Sequence, residues 1–155
     1  MKRGRSPIPK HDPFEKPLLS VDLFFTLYKN NASQVRKLEE KLEPLGLTLG
    51  RLCLLYALQR AGKPALPSEL GDDLAVTRAN ISGLLNALEK AGLVRRELDL
   101  SDRRRVFVHM TPQGEKLLEL AWPVYEETIE GNFGSLSVEE QMQLLHLLRK
   151  LEQGK

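Results

Sequence analysis

From Ser20 to Leu151 apolar side chains recur three and four residues apart, the spacing of helices that each bury one face. Val21, Phe24, Tyr28, Ala32, Val35, Leu38 and Leu42 line a first helix, with Ser20 as its N-cap and Pro44 as its stop. A second helix begins near Thr48, carries Leu52, Leu55, Tyr56 and Leu58, and ends at Ala61-Gly62. Pro64 and Pro67 mark a loop before a short third helix from Ser68 to Leu74. Thr77 caps a fourth helix, in which Ile81, Leu84, Leu85 and Leu88 stand at i, i+3, i+4 and i+7. At 100° per residue from that stripe, Ala79, Ser82, Gly83, Asn86 and Lys90 point outward, with no bulky apolar side chain among them.

Beyond Gly92 the pattern changes to strand composition, Val94 to Leu98 and Arg105 to Met110, flanking a loop from Asp99 to Arg104. Thr111-Pro112 restarts the helical pattern with a capping hydroxyl and a proline at the first helical position. This fifth helix runs through Leu117, Leu118 and Trp122 toward Phe133, with a kink expected at Pro123. Ser137 and Glu140 have the spacing of a capping box for a last helix bearing Met142, Leu144, Leu145, Leu147, Leu148 and Leu151. The prediction is a mainly α fold with a small β-hairpin. The central unit is too small to cover apolar helices at both ends of the chain, so a twofold dimer is the economical way to bury them.

At 155 residues, 41% hydrophobic and 28% charged, the chain reads as one soluble domain. No apolar run approaches the roughly 20 residues of a membrane span, and no secretory signal is legible, so neither a membrane nor an export route is expected. A single cysteine, Cys53, fits a reducing cytoplasm. Residues 1–17, with four prolines and no periodicity, read as a flexible basic arm. The net charge is only +2, but arginines cluster at Arg95, Arg96, Arg103, Arg104 and Arg105 around the hairpin. A plain polar helix face beside a basic hairpin suits duplex DNA: the helix fits the major groove and the hairpin reaches the backbone or minor groove.

The segments LGLTLGRLCLLYAL, LPSELGDDLAVTRANISGLLNALEKAGLVRR and DLSDRRRVFVHMTPQGEKLLE cover Leu45 to Glu119 almost without a break. In them the chain resembles the MarR family of bacterial transcriptional regulators. The resemblance implies a winged helix–turn–helix flanked by terminal dimerisation helices: residues 18–46, then a DNA-binding domain at 47–111, then 112–155. It makes Ser68 to Leu74 the first helix of the DNA-binding motif, Thr77 to Leu88 the recognition helix, and Arg95 to Met110 the wing. Asp102 and Arg104 match the family's D-x-R signature, whose arginine enters the minor groove. Three positions depart from the family pattern: Gly71 for alanine, Ala75 for glycine, and Gly83 where an arginine is frequent.

The expected DNA-binding set is Ser68, Thr77, Arg78, Ala79, Asn80, Ser82, Asn86, Arg103, Arg104 and Arg105, with Asp102 orienting an arginine. Arg78 suits phosphate or guanine, Asn80 or Asn86 adenine, and Ala79 a thymine methyl. Family members respond to small aromatic or anionic effectors or to oxidants; Phe24, Tyr28 and Tyr56 are the candidate effector-pocket residues here, with plain core packing the simpler account. Cys53, flanked by leucines, reads as a small buried hydrophobe ahead of a peroxide sensor. His11, His109 and His146 lack metal-ligand spacing, no catalytic motif or cofactor signature is present, and no enzymatic activity is expected. The expectation is a homodimeric repressor on a pseudo-palindromic operator, relieved by a ligand. A protein-binding winged helix would need an apolar recognition face, and a nucleoid-type protein a more basic surface.

Overall fold

The computed structural model describes residues 19–74 and 78–154, backbone only at 72–74 and 78–79. The expected basic arm and the expected cap Thr77 lie outside the described residues. In chain order the elements are α1 (Leu19–Leu42), a single 3-10 turn (Glu43–Leu45), α2 (Leu49–Ala61), α3 (Pro67–Leu74), α4 (Arg78–Lys90), β1 (Val94–Leu98), β2 (Val106–Met110), α5 (Pro112–Phe133) and α6 (Val138–Gln153). The chain divides into two compact units, the boundary falling inside α1 between Gln34 and Val35.

In the first unit, α1 already includes Ser20, which is therefore a helical residue and not the cap. Every residue of 19–32 is exposed. Phe24 stacks on Tyr28 with ring centroids 6.4 Å apart and meets Phe25 edge-on.

The second unit is built around α2. Leu52, Leu54, Leu55, Ala57 and Leu58 are all buried, so apolar contact surrounds most of the helix instead of lining one stripe. Leu42 and Leu47 precede it in the core, and Leu70, Ile81, Leu85, Leu88, Val94, Val108, Leu118 and Ala121 close around it. Each such leucine contributes about 1.5–3 kcal/mol relative to an exposed one. Two side chains serve the N-terminus of α2: Thr48 Oγ1 accepts from the Arg51 amide, and Glu39 Oε1 from the Leu49 amide at 2.9 Å. Gly62, at φ 61°, ends it with the left-handed cap that glycine adopts without a Cβ clash.

β1 and β2 pair antiparallel, Val94 opposite Met110 and Leu98 opposite Val106. Ala65 adds a reciprocal bridge to Val108 (N···O 2.8 and 3.1 Å), so the α2–α3 connection covers the outer edge of β2. The hairpin is anchored again where it enters α5. Thr111 Oγ1 donates to the Gly92 carbonyl at 2.6 Å and accepts from the Gly114 amide, while Thr111 N donates to the Leu93 carbonyl. A Cβ on Gly114 would fall 2.2 Å from that same Leu93 oxygen. The M-T-P-x-G run is thus a joint: Thr111 caps, Pro112 starts the helix, and Gly114 lets α5 press against the strand backbone. α5 continues unbroken through Pro123 to Phe133, and Ser137 and Glu140 complete the expected capping box ahead of α6.

Candidate nucleic-acid interface

In α4 the expected division of faces holds. Ile81, Leu85 and Leu88 are buried, Leu84 is half-buried, and Asn80, Ser82, Gly83, Asn86 and Lys90 are exposed. A Cβ at Gly83 would meet no atom within 4 Å, so the middle of that face is bare backbone. The side chains of Arg78 and Ala79 lie outside the described residues. Ser68 is exposed at the start of α3, where Leu66 N donates to Glu69 Oε2 and so supports the helix terminus. A cleft of about 540 Å³ lined by Pro67, Ser68, Ile81, Ser82, Leu85, Arg96 and Val106 brings Ser68, Ser82 and Arg96 to one depression.

The loop between the strands is shaped by its two aspartates. Asp99 Oδ1 accepts from the Ser101 amide at 2.8 Å and its hydroxyl at 2.6 Å. Those bonds hold the Asp99 carboxyl below its ordinary pKa, the hydroxyl contributing most. Asp102 Oδ1 accepts from both Arg104 N (3.1 Å) and Arg104 Nε (3.2 Å). Arg104 is nonetheless 92% exposed, so its terminal nitrogens project away from the protein while its root is fixed. Arg103 is exposed and has no protein partner among the described residues. Arg105 is more engaged: Nη1 lies 3.8 Å from Asp99, and the guanidinium sits 5.3 Å from the Phe107 ring centroid. The three consecutive arginines therefore differ, two presented outward and one folded onto β2.

Of the pair at the base of the wing, Arg95 is taken up by Glu97 (2.6 Å) and approaches His109 Nδ1 (3.3 Å), and this bond to Arg95 keeps the Glu97 carboxyl below its ordinary range. Arg96 turns to α4, donating Nη2 to Asn86 Oδ1 at 2.7 Å and Nη1 to Glu89 Oε2 at 3.2 Å. Arg96 was absent from the residues expected at the interface. Its signal was faint but present: alternation along β1 sends Arg95 and Arg96 to opposite faces, and one of those faces is turned to α4.

The candidate effector residues fall in different units. Phe24 and Tyr28 stack on each other in the first. In the second, Tyr56 stacks on Trp122 at 4.3 Å, Trp122 lies 5.0 Å from Tyr125, and a cleft of about 470 Å³ opens between Tyr56, Gln59, Leu118 and Trp122. From sequence Trp122 falls in the fifth helix without being assigned to a site, and Tyr125 is not singled out. Burial pushes the Cys53 thiol up, which lowers its thiolate fraction and works against the redox reading. Among the described residues no three His, Cys, Asp or Glu side chains gather as a metal site, and no helix is long and apolar enough to cross a membrane.

A family model described as the MarR family matches residues 45–105, from the entry to α2 through the tip of the wing. The transcriptional regulator HosA of Escherichia coli is 41% identical over 99 residues, which span 62% of this chain and 73% of HosA. This chain belongs to the MarR family. Among solved structures, Bordetella bronchiseptica BpsR, described for the regulation of its DNA binding by 6-hydroxynicotinic acid, superposes with a TM-score of 0.77 at 26% identity, over 84% of this chain and 98% of BpsR. A mutant of Escherichia coli MarR complexed with operator DNA gives 0.78 at 26% identity, over 85% and 94%. As a MarR-family transcriptional regulator, the chain has α3 and α4 as its helix–turn–helix and the β1–β2 hairpin as its wing.

Proposed function

We propose that this regulator is a sequence-specific duplex-DNA-binding repressor, acting as a homodimer on a pseudo-palindromic operator and released by a small aromatic or anionic effector. The observation that carries the reading is Arg104: a guanidinium almost fully in solvent at the end of a hairpin, its root fixed by Asp102, beside a helix face free of bulky apolar groups. A side chain restrained at its base but exposed at its tip loses little further entropy on entering a minor groove. The α4 face supplies the complementary part. Asn80, Ser82 and Asn86 offer polar contacts to base edges, bare Gly83 permits close approach to the groove floor, and Thr77, Arg78 and Ala79 precede them in the sequence, where a helix start would favour phosphate. Ser68 and Arg103 suit phosphates, and Arg105, held by Asp99 and Phe107, acts as a secondary contact.

Two copies present two such faces, which calls for half-sites about 34 Å apart. Occupation of a duplex by both recognition helices and wings excludes other proteins from it, hence the repressor sign. The regulation of BpsR by an aromatic acid supports an effector of that class here, and of the candidate effector residues Phe24, Tyr28 and Tyr56 the last is favoured by the cleft it lines. The test is selection of binding sites from random duplex DNA, followed by salt titration and a panel of phenolic and aromatic acids. A symmetric site is expected, with affinity falling about 10³–10⁵-fold from 50 to 200 mM salt for 6–10 neutralised phosphates. Arg104→Ala should weaken binding roughly tenfold or more while moving thermal stability by no more than about 0.5 kcal/mol. An asymmetric footprint, or equal loss of folding and binding in that variant, contradicts the proposal.

A further inference from the structure

Arg96 approaches the recognition helix from β1, and its bonds to Asn86 and Glu89 fasten two residues that share one face of α4 three positions apart. A guanidinium has only donors, so the Asn86 atom facing it at 2.7 Å is the amide oxygen, and the amide NH2 points the other way. We propose that Arg96 is a positioning residue for DNA readout, holding Asn86 as a hydrogen-bond donor that selects guanine over adenine. The inference rests on the DNA-binding reading above.

The reasoning is a count of donors and acceptors. Adenine offers an acceptor, N7, beside a donor, the N6 amino group, and an asparagine takes both only with its oxygen and its NH2 turned to that edge together. Here the oxygen is committed to a charge-assisted bond, the stronger kind. What remains toward solvent is a pair of N–H donors, and the base edge with two adjacent acceptors is guanine's N7 and O6. The positive charge of Arg96, half-buried behind the amide, adds to the preference for an acceptor-rich edge. Glu89 Oε2 holds the other arm of the guanidinium at 3.2 Å, which keeps Arg96 on the protein.

Site selection from random duplexes with the wild type, Asn86→Ala and Arg96→Met tests it. Asn86→Ala, at an exposed side chain, identifies the symmetry-related pair of positions that Asn86 reads, by flattening preference there alone. At those positions the wild type is expected to favour guanine over adenine by roughly tenfold. Arg96→Met, which keeps the apolar stem and removes the donors, is expected to move the preference to adenine and leave all other positions as they were. A wild type that favours adenine there, an Asn86→Ala profile unchanged at every position, or a folded Arg96→Met that keeps guanine overturns the role of Arg96. Should Arg96→Met not fold, the first two outcomes still decide. A wild type that enriches no site overturns the parent DNA-binding reading, and this inference with it.

Discussion

Gly83 stands in the interior of α4, where glycine is worth roughly 0.5–1 kcal/mol less than alanine, and nothing in the chain occupies the space its Cβ would take. The fold therefore gives no reason for a glycine there. The DNA contact proposed above gives one, because a helix seated in the major groove would approach the base edges most closely along that bare face. Gly83→Ala is expected to raise unfolding stability by about 0.5–1 kcal/mol and to lower operator affinity, measured by thermal denaturation and fluorescence anisotropy on the selected site. A gain in stability without loss of affinity would mean that this face stays clear of the duplex. The other residue-level lesson is Arg96: its charge was visible in the sequence, but the direction it takes depends on which face of β1 meets α4, and only tertiary packing settles that.

At the level of elements, the joint between hairpin and α5 fixes the angle at which the wing leaves the body. Gly114 packs against the Leu93 carbonyl with no room for a methyl, while Thr111 bonds to the carbonyl of Gly92 and to that of Leu93. Gly114→Ala must displace either strand or helix, at a cost of about 1–3 kcal/mol for overpacking, and tilts the wing with it. The expected result is lower thermal stability together with weaker DNA binding, in contrast to Gly83→Ala, where the two move in opposite directions; unchanged stability would show that the close approach is absent in solution. Helices and strands were legible here because each carries its own punctuation: Thr48 and Gly62 at the ends of α2, Thr111-Pro112 ahead of α5, Ser137 and Glu140 at α6. Less legible were contacts between distant segments. Glu39 reaching the first amide of α2 and Ala65 pairing with Val108 have no local pattern, since their partners are set by how the elements pack. Ser20 as a cap is a local misreading: it is a good capping residue that lies one position inside the helix it was expected to start.

For the molecule as a whole, the unsolved quantity in a single chain is what covers α6. Its capping box is complete, yet none of its residues is buried, and Met142 and Leu151 are each 67% exposed. A 16-residue helix is marginal in water without tertiary support, and a row of exposed methionine and leucine is a surface that soluble proteins cover. The apolar groove between Phe133, Val138, Met142, Leu145 and Leu148 has the same character. In the proposed homodimer a second copy would answer both, and it would also set the distance between the two α4 helices. Met142→Glu combined with Leu145→Glu is therefore expected to convert a dimer to a monomer in sedimentation velocity at micromolar concentration, with the spectroscopic signature of the central unit retained because neither side chain belongs to its core. DNA binding should fall far more than any single base contact explains. Two linked half-site contacts multiply through effective concentration, by about 10²–10⁴ over either alone, and separating the subunits removes that factor entirely. A double variant that stays dimeric would move the interface away from α6, and one that turns monomeric yet binds its operator as before would refute the paired-half-site geometry.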